Sequence, residues 1–158
     1  MANNPANRRP APPLAPGQEI RSAPRRMTRE RMRWYVDALP TVEADDGRVH
    51  RGGPTIHDDD DYAKAQGLPG IIADGMISTN WILDLMLATF GPAALQAGSL
   101  TTKYIAPVFE DAVLTSVLKV EAVEGLAEGR RRYGLKVWCE DASGKPVTVG
   151  EATVVIPA

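Results

Sequence analysis

Cysteine and histidine are scarce in this sequence. Cys139 stands alone, which excludes an intramolecular disulfide framework, and His50 and His57 are the only histidines, too few for a metal-ligand cluster of recognisable spacing. Cys139 reads as a small core or strand residue. Long apolar runs are missing too. The most apolar stretch, residues 71–90, is interrupted by Asp74, Ser78, Thr79, Asn80 and Asp84, and so is too polar for a bilayer span of roughly 20 apolar residues. The Pro- and Arg-rich start holds no continuous apolar segment of the secretory type, so a cytoplasmic protein is expected. Neither sign of charge dominates: the net charge is -2, with 24% charged and 44% hydrophobic residues, an ordinary globular composition. The 158 residues suit one domain with a single core.

Residues 1–16 carry Pro5, Pro10, Pro12, Pro13 and Pro16 among small and polar residues and cannot bury enough apolar surface to offset ordering. They are expected to be a disordered tail, with the folded domain spanning 17–158. Eight arginines fall between Arg8 and Arg33, an asymmetry that suits an anionic partner. No aromatic interleaving or nucleic-acid motif accompanies them, so they read as a solvated tail and an exposed helix face. Neither nucleic acid nor membrane is expected as a partner.

What the chain does contain is a change of period. Thr28 caps a predicted helix over 29–39, with Met32, Tyr35, Val36 and Leu39 at three- and four-residue spacing. From Pro40 to Pro54 the pattern dissolves into Gly, Asp and Arg, an irregular loop. Asp58 or Asp59 caps a second short helix that runs through Tyr62 to Gln66 and stops at Gly67. The acids Asp58 to Asp61 lie on adjacent positions that point in several directions, so capping and the helix dipole explain them better than a metal does. Residues 71–90 then read as one buried helix, apolar nearly all round and ended by Gly91 and Pro92.

Beyond Gly98 the period becomes two. Leu100–Ala106 is one predicted strand; Leu114, Leu118, Val120 and Ala122 share a face of the next. Tyr133, Leu135, Val137 and Cys139 share another, and Val147, Val149, Thr153 and Val155 lie on the last. Residues 125–129 and 142–146 supply turns. A helix followed by an antiparallel meander that must cover it is an α+β arrangement, with any chemistry sited where the helix begins, around His57 to Gly75.

Those residues carry a resemblance. Pro54-Thr55-Ile56-His57-Asp58-Asp59, Tyr62-Ala63, and Gly67-Leu68-Pro69-Gly70-Ile71-Ile72-Ala73-Asp74-Gly75-Met76 resemble the hydratase signature of MaoC-like proteins: Gly-Asp-x-Asn-Pro-x-His-x-Asp, Tyr-Ala, then Gly-x-Pro-Ile-x-His-Gly-Met. Lys103 to Asp111 is similar to the family's strand-Pro-Val-x-x-Gly-Asp segment, and Gly17-Gln18-Glu19-Ile20 with Thr28-Arg29-Glu30 to its opening. The resemblance implies a single hotdog fold, an antiparallel sheet wrapped around a long central helix, and a homodimer or higher homo-oligomer. It also implies reversible hydration of a 2-enoyl thioester carried on coenzyme A or an acyl carrier, with no other cofactor. In that chemistry a His and a carboxylate handle water while a Gly N–H at the helix start polarises the carbonyl, and His57 and Gly75 match these two positions.

The carboxylate position does not match. Gly52, or Arg51 in the alternative alignment, stands where the acid belongs, and Asp74 occupies the family's second His position. The two changes suggest one compensation, in which Asp74 re-forms an acid/base pair with His57 from the other wall of the pocket; the plain alternative is an N-cap, and the two roles are compatible. His50 is a candidate proton carrier and Arg51 a candidate anion clamp, against a plain reading as exposed loop residues. The expected function is a lyase of the hydratase or dehydratase type. The alternatives are a non-catalytic acyl-binding or partner subunit, and a thioesterase.

Overall fold

The protein is described by a computed structural model covering residues 14–38, 42–43, 49–50 and 53–157, with only the backbone at 42–43 and 49–50. The expected tail lies outside the described residues up to position 13. Five of the strands of the main sheet follow the order β1 (Glu19–Arg21), β6 (Val113–Leu126), β7 (Arg130–Asp141), β8 (Pro146–Pro157), β5 (Gly98–Tyr104), and β2 (Arg25–Arg26) also pairs with β6. Every pairing is antiparallel. Strands β3 (Val42–Glu43) and β4 (Val49–His50) form a separate two-residue ladder inside the segment expected to be irregular.

Helix α1 (Arg29–Ala38) buries Met32 and Val36, and Thr28 Oγ1 accepts the Arg31 N–H at 3.3 Å. Of the two acids proposed to cap α2 (Asp60–Ala65), Asp59 does so, accepting the Tyr62 N–H at 2.8 Å. Asp58 instead closes the preceding turn on Thr55. Among the described residues no group of acids, histidines and cysteines is placed to hold a metal.

The central helix, α3 (Gly75–Phe90), starts four residues later than expected. Residues 71–74 are extended, because Ile72 bridges to Phe109 and the Ala73 N–H bonds the Val108 carbonyl at 2.8 Å. Nor is α3 buried all round. It packs Ile77, Ile82, Leu85 and Met86 against the sheet, while Met76, Asn80, Asp84 and Ala88, four residues apart, form an exposed stripe. One sheet covers one side of a helix. The loop after α3 contains a further turn of helix, α4 (Ala93–Gln96).

The strand faces depart from simple alternation at two bulges. The β6/β7 register shifts between Val120 and Ala122, which leaves Ala122 exposed instead of on the buried face. A second shift, between Cys139 and Glu140, skips Val147, so both Val147 and Thr148 are buried. Beyond it the inward residues of β8 are Ala152 and Val154, not Thr153 and Val155 as the sequence pattern suggested. Tyr133, Leu135, Val137 and Cys139 all face the core as expected. No helix among the described residues is long and apolar enough to cross a membrane.

Candidate active site

A cavity of about 590 Å³ opens where α3 begins, lined by His57, the 72–75 segment, Ser78, residues 104–108, Met27, Leu68 and Thr148. That volume is in the range of small-molecule sites, and its walls are mainly apolar. His57 therefore meets the consecutive residues Asp74 and Gly75 at one space, although it comes from a separate segment. No direct hydrogen bond joins the His57 and Asp74 side chains among the described residues.

Each of the three is held by backbone chemistry. The turn at 55–58 is closed by Asp58, whose Oδ1 accepts the Thr55 N–H at 2.7 Å and its hydroxyl at 2.9 Å, and the Thr55 Oγ1 in turn accepts the His57 N–H at 3.1 Å. His57 Nδ1 lies 2.9 Å from the Ile72 carbonyl. A carbonyl only accepts, so Nδ1 carries a proton, and in the neutral ring Nε2 is the nitrogen left as an acceptor.

Asp74 is the N-cap of α3: its Oδ1 accepts the Met76 N–H at 2.8 Å and its carbonyl accepts the Ile77 N–H at 3.1 Å. That accounts for two of the free donors of the first turn. The Gly75 N–H takes part in no hydrogen bond among the described residues. It is an orphan donor at the positive end of a 16-residue helix, where developing negative charge is favoured. Asp74 has a second oxygen outside the cap.

Gly75 cannot be another residue without a shift. A Cβ there would lie 2.6 Å from Tyr104 Cγ and 2.7 Å from both Cδ atoms, so the Tyr104 ring rests on the glycine. The Tyr104 hydroxyl lies 3.1 Å from Thr79 Oγ1 and 3.1 Å from Met76 Sδ, which ties the ring to the outer side of the same helix. Tyr35 on α1 belongs to this neighbourhood as well: burial, then the charges of Asp74 and Tyr104, raises its phenol above the ordinary value.

From the cavity wall a buried polar chain runs inward. Ser78 Oγ donates to the Gly75 carbonyl at 2.7 Å and lies 2.7 Å from Thr148 Oγ1. Cys139 Sγ reaches the Ser78 carbonyl at 3.6 Å and Ser116 Oγ at 3.2 Å. Burial pushes the Cys139 thiol up to about 11, against a smaller opposing effect of Ser116, so it is a neutral core residue rather than a nucleophile.

The two remaining candidates are not brought to the cavity by any described contact. The His50 backbone pairs with Val42 in the β3–β4 ladder, its side chain lies outside the description, and Arg51 and Gly52 lie outside the described residues. Sequence reasoning gave no role to Tyr104, Ser78 or Thr148. Tyr104 lay within the segment that resembles the family, but nothing in a one-dimensional pattern shows that its ring would rest on Gly75.

No family model matches the sequence, and no curated protein matches it. Solved structures do. A MaoC-like dehydratase from Rhodospirillum rubrum superposes with a TM-score of 0.71 at 18% identity, covering 90% of this chain and 92% of that one. The R-hydratase PhaJ1 from Pseudomonas aeruginosa superposes with a TM-score of 0.62 at 24% identity, covering 91% and 83%. The HadBC (3R-hydroxyacyl-ACP dehydratase) complex from Mycobacterium tuberculosis gives 0.65 at 14% identity, covering 89% and 96%. The sheet, its strand order and the helix it wraps are therefore those of the hotdog fold found in MaoC-like dehydratases and R-hydratases.

Proposed function

We propose that the chain is a MaoC-like hydratase or dehydratase, a lyase that adds water to or removes it from an acyl thioester or a related small molecule. The observation that carries this reading is that His57, Asp74 and Gly75 all line one largely apolar cavity.

In the dehydration direction, His57 Nε2 takes the proton α to the carbonyl, and the electron pair moves to the carbonyl oxygen, where the Gly75 N–H and the helix dipole hold the enolate. As the pair returns, the double bond forms and the β-hydroxyl leaves. It departs as water with the proton that His57 gives up, while the free oxygen of Asp74 accepts a hydrogen bond from it. Hydration is the reverse. In this scheme Asp74 takes over, from the helix entrance, the work of the acid missing at Gly52. The same reading includes a coenzyme A or acyl-carrier thioester as substrate, a homodimer or higher homo-oligomer, and a cytoplasmic location.

A specific departure favours a second reading, a non-catalytic acyl-binding or partner subunit: Gly52 or Arg51 stands in the place of the family's acid. The HadBC (3R-hydroxyacyl-ACP dehydratase) structure, which is similar in fold, is a complex, and this supports a reading in which the chain works beside a partner. A panel of 2-enoyl thioesters of increasing chain length, followed by double-bond absorbance with thiol release recorded in parallel, separates the readings. Loss of absorbance without free thiol supports the lyase. Free thiol indicates a thioesterase, and binding without either change indicates the partner subunit.

A further inference from the structure

Within the acidic run at 58–61, Asp60 has partners far along the chain. Its Oδ1 accepts the Ile71 N–H at 3.2 Å, and its Oδ2 accepts from Arg29 Nη1 at 2.8 Å. Arg29 also donates from Nε to Glu110 Oε2 at 2.8 Å. A Cβ on Gly70 would lie 3.2 Å from Asp60 Oδ1, so the carboxylate rests against the start of the 70–74 segment.

That segment orients the imidazole. The Ile72 carbonyl holds His57 Nδ1–H, the Ile72 N–H bonds the Ile56 carbonyl at 3.0 Å, and Ile72 bridges to Phe109, the residue before Glu110. One guanidinium thus grips an acid bonded to Ile71 on one side of this small ladder and an acid adjoining Phe109 on the other. We propose that Asp60, held by Arg29, is a positioning residue of the site: by fixing Ile71 it fixes the Ile72 carbonyl, and so the ring position and tautomer of His57. For its catalytic consequence this rests on the lyase reading, and for its structural one it does not.

Stability alone gives this triad little purpose. The Arg29, Asp60 and Glu110 side chains are 41%, 36% and 37% exposed, and ion pairs so placed contribute little to folding. Their geometry, in contrast, bears directly on a ring that must present Nε2 to a substrate. An error of about 1 Å in such a group lowers turnover by up to about a hundred-fold.

The test is Asp60→Ala in the full chain, read by long-range proton–nitrogen NMR of the neutral imidazoles. His50→Gln assigns the two histidines. The wild-type His57 is expected to show the Nδ1–H tautomer alone, and Asp60→Ala is expected to show a mixture while circular dichroism stays native. With an accepted thioester, kcat falls on the order of ten- to a hundred-fold and KM changes little. A folded Asp60→Ala protein with wild-type His57 nitrogen shifts overturns the proposal. Should that variant not fold, Arg29→Gln is read the same way, and unchanged shifts there overturn it equally. If no thioester is turned over, the lyase reading fails while the nitrogen shifts still decide the role of Asp60.

Discussion

Gly75→Ala places one methyl group at the point where the fold and the proposed chemistry meet. The new Cβ would stand 2.6–2.7 Å from three atoms at the root of the Tyr104 ring. Carbon atoms settle at about 3.5–4.0 Å, so the ring must retreat by roughly 1 Å. It cannot do so freely, because its hydroxyl is bonded to Thr79 and Met76. Overpacking of this kind costs about 1–3 kcal/mol, while replacing a helical glycine with alanine returns about 0.5–1 kcal/mol. We expect a net loss of up to about 2.5 kcal/mol in urea unfolding, small enough for the variant to fold. In a Tyr104→Ala background the obstacle is gone and the same substitution should be neutral or stabilising, a coupling of about 1 kcal/mol or more in a double-mutant cycle. Catalytically, a methyl group beside the Gly75 N–H and a ring displaced by about 1 Å should lower kcat by up to about a hundred-fold. Because alanine keeps the backbone N–H, wild-type kcat in Gly75→Ala would refute the expected crowding at that donor. If the cycle showed no coupling, the contact between Tyr104 and Gly75 would be refuted.

Two further predictions concern the buried chain that begins at the cavity wall. Ser78→Ala removes the hydroxyl shared by the Gly75 carbonyl and Thr148, leaves buried polar atoms without their partner, and should cost about 1–3 kcal/mol by urea unfolding. The Cys139 thiol, whose folded value is raised to about 11 from 9.0, should be inert to a disulfide reagent in the native state and react fully on denaturation. The sign of its pH effect follows: the unfolded chain loses this proton first, so stability falls as pH rises from about 9 towards 11. The loss is on the order of 2–3 kcal/mol and absent in Cys139→Ala.

The α+β order and the meander were legible because period and capping are local properties. The strand faces were legible until a bulge intervened: Leu135 and Val137 fell where alternation put them, but Ala122, Thr153 and Val155 did not. A skipped residue such as Val147 leaves no mark in a hydrophobicity pattern. The start of α3 was displaced for a similar reason, since residues 71–74 are apolar enough for a helix and are kept extended by Phe109 and Val108 from the far side of the chain. At the site, His57, Asp74 and Gly75 stood out by motif and capping logic. Tyr104 and the Arg29–Asp60–Glu110 triad depend on contacts across tens of residues, which no spacing rule encodes.

The central claim, that His57 and Asp74 act together on water at the Gly75 end of α3, is tested most directly by assaying His57→Ala and Asp74→Asn for turnover of whichever 2-enoyl thioester the wild type accepts. Asparagine caps a helix about as well as aspartate, so Asp74→Asn removes the carboxylate while keeping the Met76 N–H satisfied. Each variant is predicted to fold as the wild type does and to lose turnover; full activity in both would contradict the account.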